Sequence, residues 1–232
     1  MGMWQLNHKI VHMNKNRYRD EYFQMSVNFE KNNMQMSFNT TEINRLIKSR
    51  RSIFPAQYTG EKVPDEIVQQ MLENAQWAPT HKLTEPWRFT VFTGEGLKKL
   101  GEFQSSIYKE DAEAKGNYSP EKFEALKAKP LTASHVIAIA MKRNEKELVP
   151  EIEEIESVAC AVQNMYLTAT AYGIGCYWGS GGVTYLEKAK ESFGLATKDK
   201  LLGFLYIGMP KEGFWPEGKR SPIEDKVHWV KS

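Results

Sequence analysis

Residues 49 to 52 read SRRS, and two adjacent arginines flanked by serines form a ready set of donors for an anion. A guanidinium is planar, permanently charged and matched to phosphate oxygens, while a serine hydroxyl adds a short hydrogen bond. The same residues at a helix end also read as a solvated basic terminus that complements the helix dipole. Three other segments carry residues of comparable type: APTHKLTEPWRF at 78 to 89, with His81 and Lys82; YWGSGG at 177 to 182; and GKRSPIED at 218 to 225, with Lys219 and Arg220.

Other chemistries lack their usual signatures. No GxxxxGK[ST] phosphate loop, strand-borne GxGxxG or HExxH is present, which argues against P-loop nucleotide hydrolysis, Rossmann-type dinucleotide binding and zincin chemistry. No GxSxG elbow marks a serine nucleophile. The five histidines are scattered, and neither Cys160 nor Cys176 has a second cysteine or a histidine at ligand spacing, so no metal is expected.

The elements that must position these residues follow from periodicity. TTEINRLIKSR offers a threonine cap and apolar Ile43, Leu46 and Ile47 at helical spacing, predicting a helix that ends near Arg50. VPDEIVQQMLENAQWAP, with Pro64 at the start and Asp65 and Glu66 in the first turn, predicts a second helix that stops before Pro79. WRFTVFTG reads as a strand, GEGLKKLGEFQSSIYK as an amphipathic helix, and SHVIAIAMKR as a buried strand opened by His135. The polar stretch between them, residues 110 to 132, reads as a surface excursion with a helix start at Ser119 and Pro120.

PEIEEIESVACAVQNMYLTATAYGIG predicts a long helix with four glutamates in its first turns, where the macrodipole favours them, and apolar or small residues on most of its faces from about 155 to 173. A helix of that kind is buried on several sides, in a large core or at a subunit interface. CYWGSGG then leads into a helix over TYLEKAKESFGL, and KLLGFLYIGMP gives a further strand before a basic tail.

A chain of 232 residues fits one α/β or α+β domain, and a net charge of +2, from 31 basic and 29 acidic residues, provides no global field for nucleic acid or anionic lipid. Two cysteines in apolar surroundings, no membrane-length apolar run and a start without a signal-like apolar core point to a cytosolic protein. Residues 1 to 37 hold six of the ten methionines and no sustained period, and read as an N-terminal extension: a mobile arm, a partner-binding segment, or sequence upstream of a start at Met34 or Met36.

The four segments, in this order and spacing from about residue 40 onward, resemble the nitroreductase family of FMN-dependent oxidoreductases, and most closely its subgroup with an AP-x-H-K-x-x-x-PW stretch, here Ala78, Pro79, His81, Lys82, Pro86 and Trp87. The resemblance implies an α+β fold with a mixed, mostly antiparallel sheet flanked by helices, over residues 38 to 232, in a homodimer with two FMN sites at its interface. It assigns Arg50, Arg51 and Ser52 to the FMN phosphate and ribityl chain, with Arg51 the readiest of the three for another role, and brings Lys219 and Arg220 to the same phosphate. It places His81 and Lys82 at the flavin ring as electronic tuners and the backbone of Trp178, Gly179, Ser180 and Gly181 against the cofactor.

Two positions depart from the pattern: Trp77 stands where relatives often have arginine, and Gly179 where they commonly have a bulkier or basic residue. The implied reaction is hydride transfer from NADH or NADPH through FMN N5 to a small acceptor such as a nitroaromatic or quinone, by a ping-pong cycle with no protein acid or base required. Specificity would come from residues 110 to 130. The same fold also supports dehalogenation, dehydrogenation, flavin fragmentation and non-catalytic flavin binding.

Overall fold

The computed structural model describes residues 38–231, and the chain divides into two units, residues 1–43 and 44–232. The reading of residues 1 to 37 as an extension lies outside the described residues. In the first unit the Asn39 side chain accepts the Glu42 N–H at 3.2 Å, so asparagine rather than threonine caps helix α1 (Thr40–Ser49).

The second unit is built on a four-stranded sheet: β1 (Trp87–Thr93), β2 (His135–Met141), β3 (Gly175–Gly179) and β4 (Lys200–Gly208), in the order β1-β2-β4-β3. The expected antiparallel majority extends to all three pairings. Helices α2 (Asp65–Ala75) and α5 (Glu151–Ala171) cover one face, and α3 (Glu95–Ala114) with α4 (Pro120–Ala128) serves the other.

This layering explains β2. Ile137, Ile139 and Met141 enter the core with α2 and α5, while Val136 and Ala138 enter the core with α3. All seven residues of the strand are buried, and a strand covered on both faces must be apolar without alternation. β4 divides in the same way, Leu205 and Ile207 to one side and Phe204 and Tyr206 to the other.

Two polar anchors fix the layers. The Asn74 amide donates to Thr168 Oγ1 at 2.9 Å and Asn164 donates to the Asn74 carbonyl at 3.0 Å, locking α2 onto α5. At the start of β2, His135 is buried with Nδ1 3.0 Å from Ser134 Oγ and Nε2 3.0 Å from Asp65 Oδ1. The Val63 N–H donates to Ser134 Oγ at 2.7 Å, so the serine hydroxyl is free to donate to Nδ1 and the neutral ring donates from Nε2 to Asp65. Burial holds the ring below its ordinary pKa of 6.5, against the opposing pull of Asp65.

Four expectations change. The helix expected over 94 to 109 continues to Ala114, into the stretch 110 to 132, which is mostly exposed as expected and in which α4 follows from the expected Ser119 cap, whose hydroxyl accepts the Lys122 N–H. The helix expected over 184 to 195 shortens to a 3-10 turn at Gly182–Tyr185 and α6 (Glu187–Glu191), because Phe193 leaves it to pack edge-on against Phe92 and Phe103. Residues 175 to 179 form an edge strand that periodicity did not reveal. Cys160 is exposed on α5, so only Cys176 has the apolar surroundings expected of both.

Glu154, one of the four glutamates attributed to the dipole, has a second role. It is 0% exposed and forms an ion pair with Arg143, whose guanidinium also donates to the Val149 carbonyl at 2.6 Å. No helix among the described residues is long and apolar enough to cross a membrane.

Candidate functional site

The SRRS segment leaves α1 and runs along the open edge of the sheet, where the Ile53 N–H donates to the Cys176 carbonyl at 2.9 Å. This one bond sets Arg50 and Ser52 on the α5 side of β3. There they line a cavity of about 270 Å³ together with Ala159, Val162, Gln163, Tyr166 and Trp178.

Tyr166 organises this cavity. The Arg50 guanidinium carbon stands 5.2 Å from the centre of its ring, its hydroxyl accepts the Trp178 N–H at 2.7 Å, and Ser52 lines the same cavity. Burial, reinforced by the neighbouring Cys176 thiol, pushes its phenol up to about 12 against the opposite pull of Ser52, the Trp178 amide and the Arg50 charge. It is therefore a neutral phenol at neutral pH, able to accept from Trp178 and still carry its own proton. Among the described residues the Arg50 side chain makes no hydrogen bond, so its N–H donors remain for a ligand.

Trp178 is held by a defect in the sheet. Ile139 pairs with Gly203 and Ala140 with Leu201, which leaves Leu202 as the extra residue of a bulge. The freed Leu202 carbonyl accepts Trp178 Nε1–H at 3.0 Å. Gly203 has φ +128, and a Cβ there would lie 2.5 Å from the Gly179 carbonyl oxygen and 2.7 Å from Trp178 Nε1, so only glycine permits this contact. Ser180 and Gly181 continue as an exposed turn, whose Gly181 carbonyl accepts from Thr184 Oγ1 at 3.0 Å.

The space beside Gly179 belongs to a residue that sequence reasoning missed. A Cβ on Gly179 would lie 3.8 Å from the Lys129 ammonium, which sits over the rings of Tyr206 at 4.7 Å and Tyr177 at 5.3 Å. A positive charge thus flanks the turn although position 179 has no side chain. Burial lowers the Lys129 pKa.

Arg51 is used differently from Arg50. Its Nε–H donates to the Pro216 carbonyl at 2.8 Å, and Nη1 donates to the carbonyls of Lys48 at 2.6 Å and Arg50 at 2.8 Å. Trp215 Nε1–H adds a bond to the Ser49 carbonyl at 2.8 Å. Together these fasten the C-terminal tail to the end of α1, a few residues before Lys219 and Arg220. Both of those are exposed, and neither lines the cavity.

His81, Lys82 and Trp77 lie elsewhere. His81 Nδ1 is 2.5 Å from Glu153 Oε2 in the first turn of α5, and Lys82 Nζ donates to the Leu148 carbonyl at 3.0 Å. The loop between them and β1 contains three non-glycine residues at positive φ, Lys82, Leu83 and Glu85, a conformation that costs energy and is held here by Thr80 Oγ1 accepting the Glu85 N–H at 3.0 Å. Trp77 is 86% exposed and Leu83 79%. The single chain therefore joins Arg50, Ser52 and Trp178 at one cavity and does not bring His81, Lys82 or Trp77 to it.

Tyr166 could have been found only as a polar-tipped residue in an otherwise apolar helix, and Lys129 had no signal beyond a lysine before a proline.

Comparisons with known proteins place the whole sheet in one family. The family model described as Nitroreductase family matches residues 47–209, from the end of α1 to just past β4. YdjA of Escherichia coli (strain K12), assigned by name as an NAD(P)H nitroreductase, is 34% identical over 167 residues, which is 72% of this chain and 87% of the relative. Among solved structures, a nitroreductase-like family protein from Bacillus cereus superposes with a TM-score of 0.70 at 30% identity, covering 84% of this chain and 98% of its own. The FMN-dependent nitroreductase NfnB from Mycobacterium smegmatis, solved in complex with NADPH, shares the fold with a TM-score of 0.64 at 19% identity, covering 83% and 99%. With a family match that spans the whole sheet and relatives that align over most of their own length, the chain belongs to the nitroreductase family.

Proposed function

We propose that the chain is an FMN-dependent oxidoreductase that takes hydride from NADH or NADPH and passes the reducing equivalents to a nitroaromatic, quinone or similar small acceptor in a ping-pong cycle. One observation carries this reading: of two adjacent arginines at one helix end, Arg51 is consumed by backbone carbonyls while Arg50 stands over a buried ring with its donors unspent and facing a cavity. A permanently charged fork left free beside a serine hydroxyl fits a phosphate. The cofactor and donor named for NfnB and the donor named for YdjA support extending that phosphate to FMN and the donor to NAD(P)H.

In this reading Arg50 and Ser52 hold the phosphate, and Lys219 and Arg220 reach it from the tail that Arg51 fastens. The Trp178–Gly181 turn lies along the rest of the cofactor. His81 and Lys82, with Trp77 beside them, take the ring end, where a cationic or hydrogen-bonding group stabilises charge at the N1–C2=O edge. The bound isoalloxazine supplies the hydride chemistry at N5, and the protein binds, orients and shields it. No acid or base of the protein is assigned to the hydride step.

The functional unit is a homodimer of the domain spanning residues 38 to 232. In the single chain, Ile152, Ala159, Cys160 and Ala171 lie uncovered on one side of α5, with Glu156 and Gln163 between them, and apolar residues left open along a helix of this length call for a partner. The cavity of about 270 Å³ falls just below the usual range for small-molecule sites, as expected where a second chain completes it. The ring-end residues of one chain would then serve the phosphate site of the other. Two free cysteines fit a reducing, cytosolic setting.

The test is a visible spectrum of the purified full chain, followed by NAD(P)H oxidation with and without a nitroaromatic acceptor. Bound flavin and acceptor-dependent turnover support the reading, and a chain that neither retains nor takes up FMN contradicts it.

A further inference from the structure

We propose that Tyr166 is the positioning residue of the anion site, setting the Arg50 guanidinium with its ring and the Trp178 backbone with its hydroxyl, so that the site distinguishes a phosphorylated flavin from an unphosphorylated one. The inference rests on the reading of the cavity as an FMN phosphate site and adds a residue that neither SRRS nor the tail contains.

Two contacts converge on this one side chain, the cation over its ring at 5.2 Å and the Trp178 N–H at 2.7 Å, with Ser52 on the wall of the same cavity. The two arginine-segment residues lie more than a hundred positions from it in sequence. Without Tyr166, nothing among the described residues fixes the Arg50 side chain, because that guanidinium has no hydrogen bond there. Arginine loses much rotamer freedom when it is ordered, and a cation–π contact offsets part of that cost before any ligand arrives.

The way the guanidinium is held also matters. Carbonyl partners would fix it by using up its N–H groups, as happens at Arg51. A ring face orients the plane and leaves every donor available. The hydroxyl acts separately from the ring, satisfying the Trp178 backbone amide and so holding the strand that faces Arg50 and Ser52 across the cavity. The neutral state of the phenol is required, since a phenolate would compete with the ligand for Arg50.

The experiment titrates FMN and riboflavin into apoprotein prepared from the full chain and compares the ratio of their affinities in wild type, Tyr166→Phe, Tyr166→Leu and Arg50→Ala. Cation–π energies imply that Tyr166→Leu lowers the FMN-to-riboflavin ratio about fivefold or more, mostly through FMN. Tyr166→Phe keeps the ring and retains the larger part of the ratio. A general packing defect would weaken both ligands alike and leave the ratio unchanged.

If Tyr166→Leu does not accumulate in folded form, Tyr166→Met, flexible and without a ring, carries the same prediction. A ratio within about twofold of wild type in a folded variant lacking the ring, while Arg50→Ala abolishes discrimination, overturns the role of Tyr166 and leaves the phosphate site standing. A wild-type chain that binds both flavins equally overturns the phosphate site itself, and the Tyr166 inference with it.

Discussion

The Arg51 guanidinium lies so close to the backbone of Gly218 that a Cβ on residue 218 would overlap it. Two distant parts of the chain are thereby joined, and the contact separates a structural arginine from its neighbour Arg50. Gly218→Ala and Arg51→Ala should both release the C-terminal tail from the end of α1. Limited proteolysis is expected to cut near residues 212 to 222 several times faster in either variant than in wild type, and an unchanged cleavage rate would contradict the clamp. FMN affinity should fall less in Arg51→Ala than in Arg50→Ala.

Gly203→Ala should displace Trp178. The methyl group would meet the Gly179 carbonyl and Trp178 Nε1 at the bulge, and a positive φ of this size is strained for alanine. A red-shifted tryptophan emission and weaker FMN binding are expected together. A folded variant with wild-type emission and affinity would mean that the bulge does not hold the ring.

Glu154→Leu should be far more harmful than loss of any other glutamate in the first turns of α5. It leaves Arg143 without its carboxylate beside a buried position, and breaking such a pair from one side lowers the midpoint of thermal unfolding by roughly 5 to 15 °C in a domain of this size. Glu156→Leu, on the exposed side of the same helix, should shift it by about 2 °C or less. Equal shifts would show that both carboxylates act only through the dipole.

His135 predicts a pH dependence of stability. Its folded-state pKa lies below the ordinary 6.5, so between those values the unfolded chain binds more protons than the folded one. The stabilisation is complete above about pH 6.5 and is lost as pH falls through the folded-state value. Urea midpoints measured from about pH 7.5 to 5 should fall, and His135→Asn should flatten that limb. An equally steep decline in the variant would assign the effect to other groups.

How far the sequence is legible depends on how local each cause is. The continuous run of β2 can be read because both faces of the strand are covered, and the Ser119 cap because its partner Lys122 is three residues away. β3 escapes detection because it is five residues long, begins and ends in glycine, and sends Tyr177 and Trp178 to opposite faces, into the two different cores. At the site, SRRS offers donors suited to an anion, but the different settings of Arg50 and Arg51 depend on the Pro216 carbonyl, 165 residues away from Arg51. Tyr166 and Lys129 acquire their roles only when α5, β3 and the turn before β2 come together, and no spacing in the sequence encodes that.

The central claim is that Arg50, with its donors unspent, is the phosphate ligand, and titration of FMN into Arg50→Ala apoprotein tests it most directly. Charge-assisted hydrogen bonds contribute roughly 1.5 to 3 kcal/mol each, which predicts an affinity lower by about tenfold to a hundredfold or more, with turnover largely restored at saturating FMN. His81→Ala should instead lower turnover when the flavin is fully bound. Unchanged FMN affinity in a folded Arg50→Ala protein would make SRRS a solvated helix end and contradict the account.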